Sequence, residues 1–340
     1  MPNPEPSGAE RASQDRSGIS RRALLGMAGG VGLVAVASGI ARTLMWEHLR
    51  WGEDFFPGTP PTIRLEPNAW TTTDDTITFA VLGDHGSGGR NQMDVARQMA
   101  RTYQRTPYGL VVLAGDISYY GSIEDRWHDV FVEPYRPLND AGVEWELAVG
   151  NHELSEQGVG DEAAAAELQA QLRRFGKPNT YYVARHGPVD FIQLDSVIPV
   201  ALGTSGREQL DWLEQTLAES TARWKVVTVH RPPYSSGSHG SDLTVREAIE
   251  PILVEGGVDI VFAGHDHHYE RTHPQHGIVH VVSGAGCMVT RVGESDLTAF
   301  ATSELQFMLV RVDGDLMDVR CLGTDGQVID RVELRKGVST

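Results

Sequence analysis

The sequence is poor in cysteine. Its 340 residues include only two, Cys287 and Cys321. Two isolated cysteines make neither a metal-binding pattern nor a disulfide framework. They would either form one bridge, as an exported protein allows, or remain as two buried free thiols. The scarcity therefore excludes a cysteine-based metal site and a fold held together by disulfides.

Basic residues are scarce as well. The 29 Lys and Arg residues face 46 Asp and Glu residues, which gives a formal net charge of −17. This balance argues against a nucleic-acid-binding face and is unfavourable for binding to anionic membranes. An anionic substrate would also be repelled, unless positive ions buried in its site reverse the local field.

The amino-terminal region differs in composition from the rest of the chain. Residues 1–20 are rich in Pro, Ser, Gly and charge, and we expect them to be disordered. Arg21-Arg22 then precede an apolar stretch that ends at Ile40 and contains Ala35-Val36-Ala37, a possible cleavage site. This pattern predicts a twin-arginine-type export signal. An uncleaved membrane anchor is the alternative, because the apolar run is barely long enough to span a bilayer.

These features predict three segments: residues 1–41 are the signal or anchor, 42–76 a lead-in, and 77–340 one catalytic domain. We expect the twin-arginine export machinery to be a partner, and the protein to be secreted or to stay in the cell envelope. Membrane contact would then occur only through an uncleaved amino-terminal segment.

From Ile77 onward, apolar strands alternate with helices, whereas the last third contains strands without helices. Near-continuous apolar strands indicate sheets that are covered on both faces. We therefore predict an α/β (α+β) fold with two sheets packed face to face and helices outside. The predicted helices are 91–104, 162–175, 207–218 and 245–254, the last interrupted near Pro251, and a hairpin is expected across Gly187-Pro188.

Five apolar strands end in side chains that can bind a metal ion. Ligands gather at the carboxyl ends of such strands, and a preceding glycine accepts positive φ and lets the backbone approach an ion. A lone His-x-His would be an ordinary polar loop. Five such strand ends predict a metal site, and their side chains are Asp84, Asp116, Asn151, His230, and His265 with His267.

The donor types predict two different ions. Asp84, Asp116 and Tyr119 are hard oxygen donors, and a phenol with a pKa of about 10 binds as phenolate only to a strong Lewis acid such as Fe(III). Asn151, His230 and one histidine of the pair suit Zn, Mn or Fe(II), with Asp116 as the candidate bridge. Two ions about 3.5–4 Å apart suit phosphate-ester hydrolysis, because they activate a water and hold both ends of an in-line displacement.

These motifs resemble the five motifs of the calcineurin-like metallophosphoesterases, over roughly residues 77–335. They read Gly83-Asp84-x-Gly86, Gly115-Asp116-x-x-Tyr119, Gly150-Asn151-His152-Glu153, Val227-x-x-His230 and Gly264-His265-x-His267. Most branches have Asp-x-His in the first motif. Here Gly86 stands in the third position and Tyr119 replaces the missing ligand, as in purple acid phosphatases. The resemblance implies a four-layer sandwich of two mixed β-sheets flanked by helices, without the amino-terminal β-domain of the plant-type enzymes.

The resemblance also implies roles for individual residues. Fe(III) would be bound by Asp84, Asp116, Tyr119 and His267, and divalent Fe, Zn or Mn by Asp116, Asn151, His230 and His265. His152 matches the substrate-contacting histidine. His239 stands where family members place a phosphate-binding histidine, with a solvated loop residue as the alternative. Either one could protonate the leaving group, since imidazole titrates in a useful range.

We therefore predict a dinuclear-metal, acid phosphatase-like enzyme that hydrolyses small phosphomonoesters by attack of a metal-bound hydroxide. A phosphodiesterase on the same scaffold is the alternative, because pocket shape decides between the two substrate classes. A non-catalytic metal-binding module is less expected, since every ligand position is filled. A nucleic-acid-binding surface is not expected.

Overall fold

The described part of the chain forms two β-sheets with helices outside them. The computed structural model describes residues 58–119, 121–154, 162–197 and 206–337, all within the unit Gly52–Thr340. The predicted signal or anchor, 1–41, lies outside the described residues, as do residues 42–57 of the lead-in. None of the helices in the described part is long and apolar enough to cross a membrane.

Thirteen strands are described. They are β1 Thr76–Leu82, β2 Leu110–Leu113, β3 Glu144–Leu147, β4 Tyr182–His186, β5 Val189–Gln193, β6 Trp224–Thr228, β7 Ile260–Ala263, β8 Tyr269–Thr272, β9 Val279–Ser283, β10 Thr298–Thr302, β11 Gln306–Asp313, β12 Leu316–Gly323 and β13 Val328–Arg335. The α-helices in the same residues are α1 Arg90–Arg105, α2 Ile123–Trp127, α3 Arg136–Asp140, α4 Glu162–Arg174, α5 Gly206–Glu219 and α6 Leu243–Glu255. A π-helical turn, His128–Val132, follows α2, and a 3₁₀ turn, His152–Leu154, follows β3.

The strands form a six-stranded and a seven-stranded sheet. The orders are β13-β12-β11-β1-β2-β3 and β10-β8-β9-β7-β6-β5-β4. Strands β1, β2 and β3 are parallel, as are β5, β6, β7 and β9. The late strand β11 pairs antiparallel with β1, so the carboxyl-terminal meander completes the first sheet. Parallel neighbours bring several strand ends to the same edge of each sheet.

Side chains on both faces of the central strands are buried. Ala80 and Leu82 of β1 pack outward with α1, whereas Phe79 and Val81 pack between the sheets. A third cluster covers the outer face of the seven-stranded sheet with α5 and α6. This alternation is what a strand buried on both sides requires. The predicted four-layer arrangement is confirmed.

Most predicted helices agree with the structure within one or two residues at each end. The interruption expected near Pro251 is wrong, because α6 runs continuously from Leu243 to Glu255. A proline inside a helix removes one backbone hydrogen bond. Here the buried face of Val245, Ile249 and Leu253 lies on both sides of Pro251, so packing holds the helix together.

Two smaller expectations can also be compared with the structure. Strands β4 and β5 pair antiparallel across Gly187-Pro188, so the predicted hairpin is confirmed. Cys287 and Cys321 are both buried, and no disulfide joins them. The structure therefore has the two buried thiols rather than the bridge.

Candidate metal centre

The ligand-bearing strand ends of the two sheets meet. Asp84, Asp116 and Asn151 follow β1, β2 and β3 of the six-stranded sheet, whereas His230 and the His265/His267 pair follow β6 and β7 of the other. Main-chain hydrogen bonds cross between the sheets at this edge: Gly83 N donates to Ser283 O at 2.9 Å, and Gly286 N donates to Gly83 O at 3.1 Å. The predicted side chains are thus brought into one buried region.

The glycines before the ligands are needed for close approach. A Cβ on Gly264 would lie closer than 3.0 Å to the Asp84 carboxylate, and one on Gly150 would lie equally close to Asp116. A Cβ on Gly115 would meet the ring of His230 in the same way. Gly115, Gly150 and Gly264 therefore each make room for a candidate ligand that follows another strand.

Positive φ occurs mainly at the ligands themselves. Asp84, Asp116 and His265 have φ of 55°, 53° and 70°. Among the four motif glycines only Gly115 has a positive φ, of 89°. The expectation that glycine supplies the unusual backbone angle is wrong at the other three. Non-glycine residues seldom adopt this conformation, and such strain is concentrated at functional sites.

The first group of ligands surrounds the hydroxyl of Tyr119. This oxygen lies 3.3 Å from Asp84 Oδ1, 3.2 Å from Asp116 Oδ2 and 3.3 Å from His267 Nε2. A phenol has one proton to donate. It cannot serve both carboxylates at once, so this group has the composition and spacing of a cation site.

The second group surrounds Nε2 of His230. Nδ1 of this ring lies 2.8 Å from Ala114 O, so it carries the proton and donates it to the carbonyl. Nε2 then faces Asn151 Oδ1 at 2.9 Å and Asp116 Oδ1 at 3.4 Å. Three acceptor atoms converge, and they need either a proton or a cation between them.

The electrostatics of His230 support this interpretation. Burial alone would lower its pKa, but the carboxylates of Asp116 and Asp84 outweigh burial and raise the pKa to about 9. Burial raises the pKa of Asp84, whereas neighbouring His230 and His152 overcome burial and hold the pKa of Asp116 below its usual value. The buried field is strongly negative and attracts a cation.

Asp116 belongs to both groups. Its Oδ2 faces Tyr119 and its Oδ1 faces His230. The carboxylate is 1% exposed, and Oδ1 also accepts a hydrogen bond from His152 N at 3.0 Å. A carboxylate whose two oxygens face separate ligand sets is placed to bridge two ions. Asp84, Asp116 and His230 offer ligand atoms that all lie within 4.8 Å of one another.

The other three predicted site residues lie around these groups. The ring of His265 packs on His230 with centroids 5.1 Å apart, and its main-chain N donates to Asp84 at 2.9 Å. Burial lowers the pKa of His265 to about 2, so its imidazole is neutral and able to bind a metal. The partly exposed ring of His152 lies 4.5 Å from the Tyr119 ring, and exposed His239 lies 4.3 Å from the His265 ring.

Gly86 leaves no space for a side chain. A Cβ there would lie closer than 3.0 Å to the main chain of Ile117 and Ser118. Tyr119 N donates to Gly86 O at 2.8 Å, so the segment that carries Tyr119 occupies this space. A side chain at position 86 would therefore displace the segment that carries Tyr119.

Sequence reasoning missed several supporting residues. The carboxylate of Glu153 is buried and accepts from Asp116 N, Ile117 N and Gly150 N at 3.0, 2.6 and 2.6 Å. Ser196 Oγ accepts from His230 N at 3.1 Å. Asp266 binds the His239 loop. The only signal for Asp266 was a charged residue between two ligand histidines.

Two histidines outside the predicted ligand set are buried. His268 and His280 are 0% and 4% exposed. His268 Nε2 lies 3.3 Å from Glu270, and His280 packs on Tyr234 with ring centroids 4.7 Å apart. Neither belongs to the two ligand groups.

Residues 77–269 match the family model described as calcineurin-like phosphoesterase. The match spans more than half of the chain, and the chain therefore belongs to this family. The tyrosine-containing centre and the relatives below assign it to the purple acid phosphatase-like branch. The protein is a metal-dependent phosphoester hydrolase.

Two curated relatives illustrate the similarity. Purple acid phosphatase 17 of Arabidopsis thaliana is 27% identical over 286 residues, which cover 76% of this chain and 81% of the relative. Tartrate-resistant acid phosphatase type 5 of Rattus norvegicus is 25% identical over 247 residues, or 64% of this chain and 74% of the relative.

Solved structures share the fold at lower identity. Purple acid phosphatase PPD1 from yellow lupin has a TM-score of 0.67 and 20% identity, covering 80% of this chain and 55% of the lupin chain. GAP50, the anchor in the inner membrane complex of Plasmodium, has a TM-score of 0.66 and 19% identity, covering 77% and 89%.

Proposed function

We propose that this protein is a phosphomonoesterase of the acid phosphatase type that uses two metal ions. The observation that carries the proposal is the position of Asp116, whose two carboxylate oxygens face two different ligand groups. The acid phosphatase relatives support the monoester substrate class. When bound, two ions would activate a water and stabilise the charge of the transferring phosphoryl group.

The donor sets support different ions in the two groups. Burial, Asp116 and Asp84 raise the pKa of Tyr119 well above its usual value. A phenolate in this position therefore needs a strongly charged ion, and we assign Fe(III) to Asp84, Asp116, Tyr119 and His267. A divalent ion, Fe, Zn or Mn, would be held by Asp116, Asn151, His230 and His265.

The metal assignment has a spectroscopic test. Phenolate bound to Fe(III) should give a visible charge-transfer band, which Tyr119→Phe should abolish. The matched variant Tyr135→Phe removes a buried hydroxyl outside both ligand groups and should leave the band in place. A colourless, active wild-type enzyme that contains only Mn or Zn would contradict the Fe(III) assignment.

The protein's own residues would bind and orient the substrate. His152 lies beside Tyr119 at the first group, and His239 lies over His265 at the second. Both rings carry nitrogens that can donate to phosphoryl oxygens or return a proton to the leaving group. Their places beside the two ligand groups suit a small phosphate ester bound at the centre.

The substrate class is tested by comparing an aryl phosphomonoester with the matching aryl diester. Purified, metal-loaded protein would be used, with Asp116→Ala as the blank. Faster monoester turnover, absent from the variant, is the expected result. Preference for the diester would replace the proposal with a phosphodiesterase. Absence of turnover on both esters, with two ions bound, would favour a metal-binding module.

We also propose export through a twin-arginine-type signal. The Arg21-Arg22 pair and the apolar stretch that follows it support this proposal. Replacing both arginines by lysine should retain the protein inside the producing cell, and cell fractionation would measure this. Unchanged export of the variant would contradict the proposal.

A further inference from the structure

The loop that carries His239 is tied to the metal-binding motif by one carboxylate. This loop, Ser235-Ser236-Gly237-Ser238-His239-Gly240-Ser241, lies between β6 and α6. Asp266, between the ligand histidines 265 and 267, is 0% exposed. It accepts from Ser235 Oγ at 2.5 Å, His239 N at 2.9 Å, Gly240 N at 3.2 Å and, more weakly, Ser238 Oγ at 3.4 Å.

The neighbouring Glu270 holds the same loop at a second point. Its carboxylate accepts from Ser236 N at 2.6 Å and from Thr298 Oγ1 at 2.6 Å. Gly237 lies between the two attachments, where a Cβ would come closer than 3.0 Å to His268 and Asp266. The loop therefore sits directly against the segment that delivers His265 and His267.

These hydrogen bonds fix the main chain from which the exposed ring of His239 projects. The ring lies 4.3 Å from the His265 ring, tilted by 33°, although its surroundings are open to solvent. A flexible Ser/Gly loop would otherwise allow the ring many positions, at a cost in entropy on binding substrate. Charge-assisted hydrogen bonds to Asp266 remove that freedom before substrate arrives.

We propose that Asp266 is a positioning residue, which places the His239 imidazole over the second ligand group so that it binds a phosphoryl oxygen. The proposal rests on the function proposed above. It adds that recognition of phosphate depends on a carboxylate that touches neither substrate nor metal. Because Asp266 stands between His265 and His267, the segment that supplies both histidines also holds the loop that carries His239.

A double-mutant cycle on phosphate binding tests this link. Calorimetry on metal-loaded protein would give the dissociation constant of inorganic phosphate for wild type, Asp266→Asn, His239→Ala and the double variant. Each single change should weaken binding about 10-fold, the size expected for one hydrogen bond to a charged group. Because Asp266 acts through His239, the double variant should be no weaker than His239→Ala. An additive loss of about 100-fold would overturn the proposal.

Two further readouts separate positioning from general damage. Amide exchange at 239–240 should be faster in metal-free Asp266→Asn, since the amide has one acceptor oxygen in place of two and carries no charge; unchanged exchange would overturn the proposal. The variant should retain two ions per chain, and loss of either ion would also overturn it. Ser295→Ala removes an exposed 2.9 Å hydrogen bond to Ser236 from outside the loop and should match wild type in phosphate affinity.

Failure of the inference differs from failure of the proposed function. The four proteins could follow the predicted double-mutant cycle on phosphate binding while wild type hydrolyses neither ester. The proposed function would then be wrong, and the role of Asp266 would stand. If Asp266→Asn instead has normal phosphate affinity and normal ester turnover, the proposed role of Asp266 would be wrong and the proposed function would stand. If Asp266→Asn folds poorly, Gly237→Ala is the substitute variant. It forces the loop away from Asp266 and should also weaken phosphate binding.

Discussion

The two sheets contribute chemically different halves of the candidate metal centre. The strands of the six-stranded sheet are followed by oxygen donors, and those of the seven-stranded sheet by imidazoles. The oxygen side supplies Asp84, Asp116, Tyr119 and Asn151, and the nitrogen side supplies His230, His265 and His267. Each proposed ion would need ligands from both sheets, so neither sheet could build the site alone.

The oxygen side also orients the nitrogen side. Ala114 O accepts the Nδ1 proton of His230, and Asp84 accepts from the main-chain N of His265. Second partners of this kind select the tautomer of a ligand histidine and hold its ring. Metal binding should therefore tie the sheets together, and breaking either half should affect the other.

The largest effect is expected for Asp116→Asn, because this is the one predicted ligand that faces both groups. We expect kcat to fall by about 1,000-fold or more, since the change weakens the binding of both metal ions, whose charges would stabilise the transition state. Metal analysis should find fewer than two ions per chain. An active variant with two ions bound would show that Asp116 is not the bridge.

A substitution at Gly264 tests the contact between the two sheets. Gly264→Ala would place a methyl group against the Asp84 carboxylate and the carbonyl of Ala114. We expect a loss of up to about 3 kcal/mol in the free energy of unfolding, as for other overpacked sites, together with weaker metal binding. Denaturant unfolding measures the first effect.

Gly293→Ala is the matched control for this variant. A Cβ on Gly293 would have Ser236 O as its one near neighbour, at 3.2 Å. Its free energy of unfolding should change by less than about 1 kcal/mol. Equal stability of the two variants would mean that the sheets can move apart without cost at Gly264.

The sequence was sufficient to predict the side chains that the structure brings together, but not the residues that support them. Apolar strands followed by Asp84, Asp116 or His230 are visible because strand, glycine and ligand are neighbours in the chain. The pairing of β11 with β1 joins residues more than 200 positions apart, and local patterns carry no information about it. The burial of His280 and the role of Glu153 likewise depend on packing between distant segments.

The two halves of the centre are held by different main-chain acceptors. Glu153 binds three main-chain N–H groups on the oxygen side, and Ser196 Oγ binds His230 N and Arg231 N on the nitrogen side. Glu153→Gln would turn an amide towards N–H donors and should reduce metal affinity by about 100-fold. Ser196→Ala loses a neutral acceptor and should cost about 10-fold or less.

Metal titration of the two variants would measure this difference. Their circular dichroism spectra should match that of wild type, so that a weaker affinity reflects the centre rather than the fold. Equal losses would mean that the charge of Glu153 is unimportant, and that the two halves are held in the same way.

The smallest expected effect concerns the pH dependence of stability, for which two buried histidines of the nitrogen side differ. The carboxylates of the centre raise the pKa of His230, whereas burial, with Arg246 nearby, lowers the pKa of His280 to about 3. The chain packs Tyr234 against His280, and Glu250 accepts a hydrogen bond from the Tyr234 hydroxyl. Neither ring nitrogen of His280 has a hydrogen-bond partner among the described residues.

The depressed pKa of His280 makes the fold sensitive to acid. Below the ordinary value of about 6.5, the unfolded chain binds a proton that the native state refuses until about pH 3, so stability falls as the pH falls through this range. At pH 5 the loss from this group is about 2 kcal/mol. His280→Phe should remove it, which urea unfolding at pH 7.5 and 5 would measure, whereas exposed His273→Gln should retain it. If His280→Phe keeps the full pH dependence, other groups cause the acid sensitivity, and the contrast with His230 has no consequence for stability.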